Sequence, residues 1–293
     1  MELGKRVWKE ANEDEIFDRA AGLSYYFVFA LFPALLFLTS LLGMLPIPDL
    51  TNRLMAYVEQ AMPADAASII QKTLGEIVGG AAGSLLSIGA LAALWAASGG
   101  VVAMMTALSI AYDVEDSRPW WKRRVLGIGL TFALAVVMLM AAVLLVFGGT
   151  IGQSLNNTVG LGDVPVKIWN VAQWPMAVGC VVLGIALLYY AAPAVEHRKW
   201  YWVTPGSLVA TVAWILMSLG LRLYVLNFGN YTATYGSIAG VILLLLWLYL
   251  SGLVLLLGAE VNAEIEHAAA ARGATTAKAK GEKAPSGAGE RVP

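Results

Sequence analysis

The stretch GLSYYFVFALFPALLFLTSLLG, Gly22 to Gly43, runs for 22 residues without a charged side chain and carries a proline, Pro33, near its middle. A hydrocarbon core about 30 Å thick takes roughly 20 apolar residues to cross as a helix, so this segment is long enough to span a membrane. Proline removes one backbone hydrogen bond and crowds the carbonyl four residues back, here that of Phe29. In lipid that carbonyl needs a partner from a neighbouring helix, a hydroxyl or water. The expected element is a proline-kinked span, with Tyr25, Tyr26 and the preceding Arg19 at its cytoplasmic interface.

Five further stretches have the same character. With the first at 22–45, the expected spans are 85–110, 125–148, 172–191, 204–226 and 237–259. The chain is 59% hydrophobic and 13% charged, against about 45–50% and 25% in soluble domains. An ordinary soluble domain is excluded. The predicted class is all-α, a polytopic membrane protein with six transmembrane helices and short amphipathic helices outside the bilayer. The mixed-charge opening does not read as a cleavable signal peptide, so the first span is expected to be retained.

Fifteen Lys and Arg fall before span one, between spans two and three, after span four and in the tail, while the alternate loops hold only Arg53, Lys72 and Lys167. Positive charge stays on the cytoplasmic side, which places both termini in the cytoplasm. Trp120, Trp121, Trp200, Tyr201 and Trp202 flank the spans there, where amphipathic rings favour the interface. Three regions follow: a cytoplasmic interfacial segment (1–21), a transmembrane domain (22–266) and a disordered cytoplasmic tail (267–293) whose composition cannot offset its ordering entropy. Between spans one and two, apolar intervals of three and four over 50–78, broken by Pro63, indicate two short amphipathic helices.

Small and hydroxyl-bearing residues form stripes along three spans. Gly22, Tyr26, Phe29, Pro33, Leu36 and Ser40 share a face of the first. Ala92, Trp95, Gly99, Thr106 and Ser109 do so on the second, and Gly236, Gly240, Leu243, Trp247, Ser251, Val254 and Gly258 on the sixth. These faces are expected to turn inward, either for close helix packing or to line a cavity. Arg222, within the fifth span, either snorkels to water or binds an anionic headgroup or counterion with Asn227, Asn230, Tyr231 and Tyr235. Glu260 follows LLLGA directly, which allows it to face inward beside Asn262 and pair with Arg19 or Arg118.

Catalytic chemistry finds little foothold. The two histidines, His197 and His267, lie outside the expected spans, the one cysteine is Cys180, and no phosphate-binding GxxxxGK[ST] is present. Asp113, Glu115 and Asp116 stand beside Arg118, Lys122, Arg123 and Arg124 and read as salt-bridging loop charges. The expectation is a non-enzyme, with no cofactor, no metal and no nucleic-acid partner.

RAAGLSYYFVFALFPALLFLTSLLG (19–43), SRPWWKRR (117–124) and above all YGSIAGVILLLLWLYLSGLVLLLGAEVNAE (235–264) resemble the YihY/BrkB family of bacterial inner-membrane proteins, over roughly residues 10–266. The resemblance implies a six-helix inner-membrane fold. It also implies a transporter-like role, moving or helping to export a lipid or other amphiphile in envelope biogenesis, with membrane lipids as partners. The alternative is a non-transporting scaffold or assembly factor with an envelope protein partner. Some members carry an old ribonuclease label, which this sequence's lack of grouped metal ligands argues against.

Overall fold

The computed structural model describes residues 2–43, 83–159, 163–195, 203–228 and 237–272. Among them the chain forms seven helices: α1 (Glu2–Glu13), α2 (Ile16–Gly43), α3 (Gly83–Ala111), α4 (Trp120–Val159), α5 (Asp163–Ala191), α6 (Pro205–Phe228) and α7 (Ser237–Ala271). The protein is an all-α, polytopic membrane protein. Five helices contain segments long and apolar enough to cross a membrane: Gly89–Ala111, Trp120–Leu145, Lys167–Ala191, Pro205–Val225 and Gly240–Ala271. The expected first span falls in α2, which continues as helix through Pro33, and α5 likewise contains Pro175. The two amphipathic helices expected over 50–78, the tail beyond Arg272, Tyr231, Tyr235, Gly236 and the side chains of Leu36, Ser40 and Asn227 lie outside the described residues.

Local chemistry sets the helix ends. Glu15 and Asp113, with φ of 53° and 51°, place non-glycine residues in the left-handed region where α1 and α3 stop. Past α1 the Asp14 carbonyl accepts from Arg19 Nε at 2.7 Å, which satisfies a group the helix cannot. At the start of α6, Thr204 and Ser207 cap each other, with Ser207 N–H donating to Thr204 Oγ1 (3.1 Å) and Thr204 N–H to Ser207 Oγ (3.0 Å). Pro205 occupies the first helical position, where its missing N–H costs nothing.

The helices contribute to two compact units. Among the described residues, those within Met1–Phe29, Ser98–Leu130 and Val181–Pro293 make up one, and those within Ala30–Ala97 and Thr131–Cys180 the other. In the second, Phe37 and Phe132 pack with ring centroids 6.3 Å apart, and Ala93, Leu94, Ala135 and Ala177 are also buried. In the first, α6 lies along α7 and α1 also packs on α7. The α6/α7 approach depends on two glycines. A Cβ on Gly206 would collide with the Gly258 carbonyl and stand 2.6 Å from Asn262 Cγ, and one on Gly258 would collide with Tyr189 Oη and stand 2.7 Å from Ala210 Cβ. Similarly, α3 crosses α4 where Val102 Cγ2 would lie 2.5 Å from a Cβ on Gly127.

The inward faces differ in part from those the stripes predicted. On α7, Ser251 and Gly258 are buried and Trp247 half-buried, but Gly240 is exposed. On α2 the striped face looks out: Gly22 is exposed, Tyr26 is 52% exposed and Phe29 64%, while Ile16, Ala20, Leu23 and Ser24 are buried. Leu23 packs where Gly252 of α7 leaves room, its Cβ 3.6 Å from the position a Gly252 Cβ would take. Steric fit against α7 chose that face, and tyrosine rings are stable at a membrane interface without an inward partner. On α3, Ala92, Trp95 and Thr106 are exposed and Ser109 is buried beside Met104, Met105 and Leu108.

Because backbone stands where the Gly206 Cβ would go, Gly206→Ala is expected to destabilise the protein by about 1–3 kcal/mol, the usual cost of overpacking. Gly240→Ala, which meets open space, is expected to leave the thermal unfolding midpoint in detergent unchanged. Equal midpoints for the two variants would show that the seam is not tightly packed.

Candidate functional site

Polar groups from six helices and their connecting turns converge at the end of the first unit that carries α1. The loop after α3 supplies Asp116, and SRPWWKRR supplies the cations. Arg118 grips the Asp116 carboxylate with two parallel bonds, Nε to Oδ1 at 2.7 Å and Nη2 to Oδ2 at 2.8 Å. Its Nη2 also donates to the Ala192 carbonyl at 2.8 Å, just past the end of α5. Arg123 adds a second cation, its Nε 3.4 Å from Asp116 Oδ2, and its Nη2 donates to Thr106 Oγ1 at 2.5 Å. Burial alone would raise the Asp116 pKa, but hydrogen bonds and charge from Arg118, with charge from Arg123, outweigh it and hold the carboxyl below the usual aspartate value. The expectation that these loop charges bridge one another holds for Asp116.

A second cluster centres on Asn262 of α7. Its Oδ1 accepts from Gly206 N–H at 2.8 Å, and its Nδ2 donates to Thr204 Oγ1 at 3.0 Å and to Tyr112 Oη at 3.2 Å. One carboxamide thereby joins the end of α3, the start of α6 and α7. Burial pushes the Tyr112 phenol well above its ordinary range, so it stays a neutral acceptor. Tyr189 of α5 donates to the Leu255 carbonyl at 2.6 Å. Deeper along α6 and α7, Trp214 Nε1 donates to Ser251 Oγ (3.0 Å) and Trp247 Nε1 to Ser218 Oγ (3.2 Å), the indoles packing 5.9 Å apart. Ser109, inward on α3, donates to the Met105 carbonyl at 2.9 Å and accepts from Ala194 N–H at 3.3 Å.

The third cluster is acidic. Glu260 of α7 is 2% exposed, and its carboxyl lies within reach of that of Asp14 in the turn between α1 and α2. Glu10 and Asp113 also act on it. Burial raises the Asp14 pKa, and the charge of Asp113 raises it further. His267 stands nearby, Nε2 3.7 Å from Asp113 Oδ2 and Nδ1 3.6 Å from Glu264 Oε1. The sequence expectation paired Glu260 with Arg19 or Arg118. In the structure Arg118 is engaged by Asp116, Arg19 bonds the Asp14 carbonyl, and Glu260 faces carboxyls. The reason is local: Asp116 lies two residues from Arg118 and reaches it first.

Of the other candidates, Tyr26, Trp95, Thr106 and Arg222 are exposed and Pro33 is half-buried, while Ser251 is buried. The structure brings Ser251 and Trp247 together with Trp214 and Ser218, and Thr106 together with Arg123. It does not bring Tyr26 into any of the three clusters. Glu10, Asp14 and Tyr112 had no role in the sequence reading, because a carboxylate in a mixed-charge leader looks like a solvated one; Asp113, read as a salt-bridging loop charge, meets His267 rather than the neighbouring arginines. The Thr204-Pro205-Gly206-Ser207 cap, by contrast, has a readable pattern. Among the described residues no three His, Cys, Asp or Glu are placed to hold a metal ion.

Comparison with known proteins adds a family. The family described as "Virulence factor BrkB" matches residues 7–283. A ribonuclease-like protein, YfkH, of Bacillus subtilis (strain 168) is 38% identical over 90% of this chain and 94% of its own length. A UPF0761 membrane protein of Alteromonas mediterranea is 27% identical over 89% of this chain and 86% of its own. Another, of Stenotrophomonas maltophilia (strain R551-3), is 27% identical over 90% of this chain and 61% of its own. No solved structure matches.

The Asp116 clasp can be tested through stability. Its carboxyl is held low, so its contribution is present above the usual aspartate value near 3.8 and is lost as pH falls through a value lower still. At neutral pH, Asp116→Asn is expected to cost about 1.5–3 kcal/mol, the range for hydrogen bonds to charged groups. Thermal unfolding in detergent measures it, and a loss that persists equally below the titration would show that charge is not its source.

Proposed function

The chain belongs to the BrkB family, and on that premise we propose that it is a bacterial inner-membrane protein that moves, or helps to export, a lipid or other amphiphile during envelope biogenesis. Membrane lipids are its partners, and it works without catalysis, cofactor or nucleic acid. Both termini face the cytoplasm, a reading supported by the fifteen-to-three division of Lys and Arg between alternate sides.

The observation that carries the proposal is Arg222. It is exposed on α6, three residues before the apolar span ends at Val225, among exposed Leu219, Leu223 and Tyr224. A guanidinium on an apolar surface is costly unless it reaches the headgroup layer, where phosphate is its natural acceptor. An amphiphile with an anionic head and acyl tails satisfies both the cation and the leucines around it. The ribonuclease-like wording belongs to YfkH and is not carried over.

One observation favours the scaffold alternative: the glycine seam of α6 and α7 is closed at Gly206 and Gly258, as a rigid support requires. The readings separate in reconstituted vesicles carrying a fluorescent anionic phospholipid. Transport predicts transbilayer movement above that of protein-free vesicles, with Arg222→Gln slower by roughly tenfold or more, the kinetic counterpart of losing a charge-assisted bond. Arg222→Lys should retain most of the rate. No movement above the protein-free rate, together with stoichiometric recovery of an envelope protein on affinity purification, would establish the scaffold.

A further inference from the structure

The three polar clusters differ in one respect. Asp116 meets donors and Asn262 meets a donor on its oxygen and acceptors on its nitrogen, whereas Glu260 meets only acceptors. Glu260 arises from α7 between Ala259 and Ala263, both buried, in a helix against which α1 packs. The groups around it come from every neighbouring element. Glu10 lies on α1, and Asp14 lies in the following turn. Tyr112 and Asp113 close α3, while Glu264 and His267 share its own helix. The charge of Arg19 acts on Asp14. One carboxyl oxygen of Glu260, Oε1, is fully buried and has no hydrogen-bond partner. A buried acceptor without a donor is expensive and calls for an occupant.

We propose that Glu260 and Asp14, with Glu10 and Asp113 around them, form a binding site for one exchangeable proton that holds α1 against α7. Two carboxyls can hydrogen-bond to each other only if one carries the proton, and neighbouring buried carboxyls cannot both ionise freely. With the proton in place, Asp14 and Glu260 are joined by an O–H···O bond. Without it, up to four negative charges repel across the α1/α7 contact. A metal ion is the poorer occupant, since among the described residues no three such groups converge on a point.

The sign of the pH dependence follows. In the unfolded chain each carboxyl is solvated and ionises in its usual range, whereas the folded site retains its proton to higher pH, as the raised Asp14 value reflects. Docking of α1 is therefore strongest at low pH and weakens as pH rises through the titration of the pair. The assignment does not depend on what, if anything, the protein transports.

The test uses the full chain in lipid nanodiscs. Infrared difference spectra should show a protonated carboxylic carbonyl band at neutral pH, bleaching as pH is raised above the ordinary carboxylate range. Hydrogen exchange of residues 2–13, corrected for intrinsic rates, should lose about tenfold of its protection for each pH unit across the same titration. Glu260→Gln should abolish the band and make the protection independent of pH. Asp14→Asn, in a half-buried turn, should shift the band, because the buried Glu260 carboxyl exchanges its carboxyl partner for an amide. A neutral-pH band absent from the unsubstituted protein, surviving Glu260→Gln, or unshifted by Asp14→Asn would overturn the proposal. So would protection that follows sodium or potassium at constant pH, since that would make the occupant a metal cation.

Discussion

Hydrocarbon offers no partner to a polar atom, and the architecture follows from that constraint. Each helix satisfies its own backbone, but helix ends and polar side chains must find partners in other elements. Asn262 illustrates the solution. Its single side chain satisfies the Gly206 N–H, which the first turn of α6 leaves free, and binds the hydroxyls of Thr204 in the same cap and of Tyr112 past the end of α3. That geometry exists only because Gly206 and Gly258 let α6 and α7 approach so closely. The tryptophan–serine pairs continue the same interface away from the polar end, so α6 and α7 are held by shape and by directed hydrogen bonds together.

Two acidic residues at this end show opposite outcomes of burial. Asp116 is surrounded by guanidinium groups and is a fixed anion, its geometry set by a bidentate arginine two residues away. Glu260 is surrounded by carboxyls contributed by distant parts of the chain. The first arrangement is permanent over ordinary pH, and the second depends on a proton. A helical unit containing both has a rigid corner beside a titratable one.

Family membership and geometry bear on different questions. The family match and the relatives establish a membrane protein related to BrkB and UPF0761 proteins. The residues decide what chemistry is on offer at the site: arginine on carboxylate, amide on hydroxyl, carboxyl on carboxyl.

From the sequence alone, the hydropathy of the chain determines its class and most helix positions, because spans of about 20 apolar residues have few other uses. The bridging of Asp116 was legible for the same kind of reason: opposite charges two residues apart meet whatever the fold does. Inward faces were legible only where polarity and packing agree, as at Ser251. Along α2 they disagree, and the tertiary structure turned Leu23 inward and Tyr26 outward. In water a helix records its buried face as a contrast between apolar and polar residues. In a membrane both faces border apolar surroundings, so that contrast fades, and the inward face is chosen by steric fit between side chains far apart in the chain. Glu260 follows the same rule, since its partners come from Glu10, Asp14 and Asp113, and only folding brings those carboxyls together.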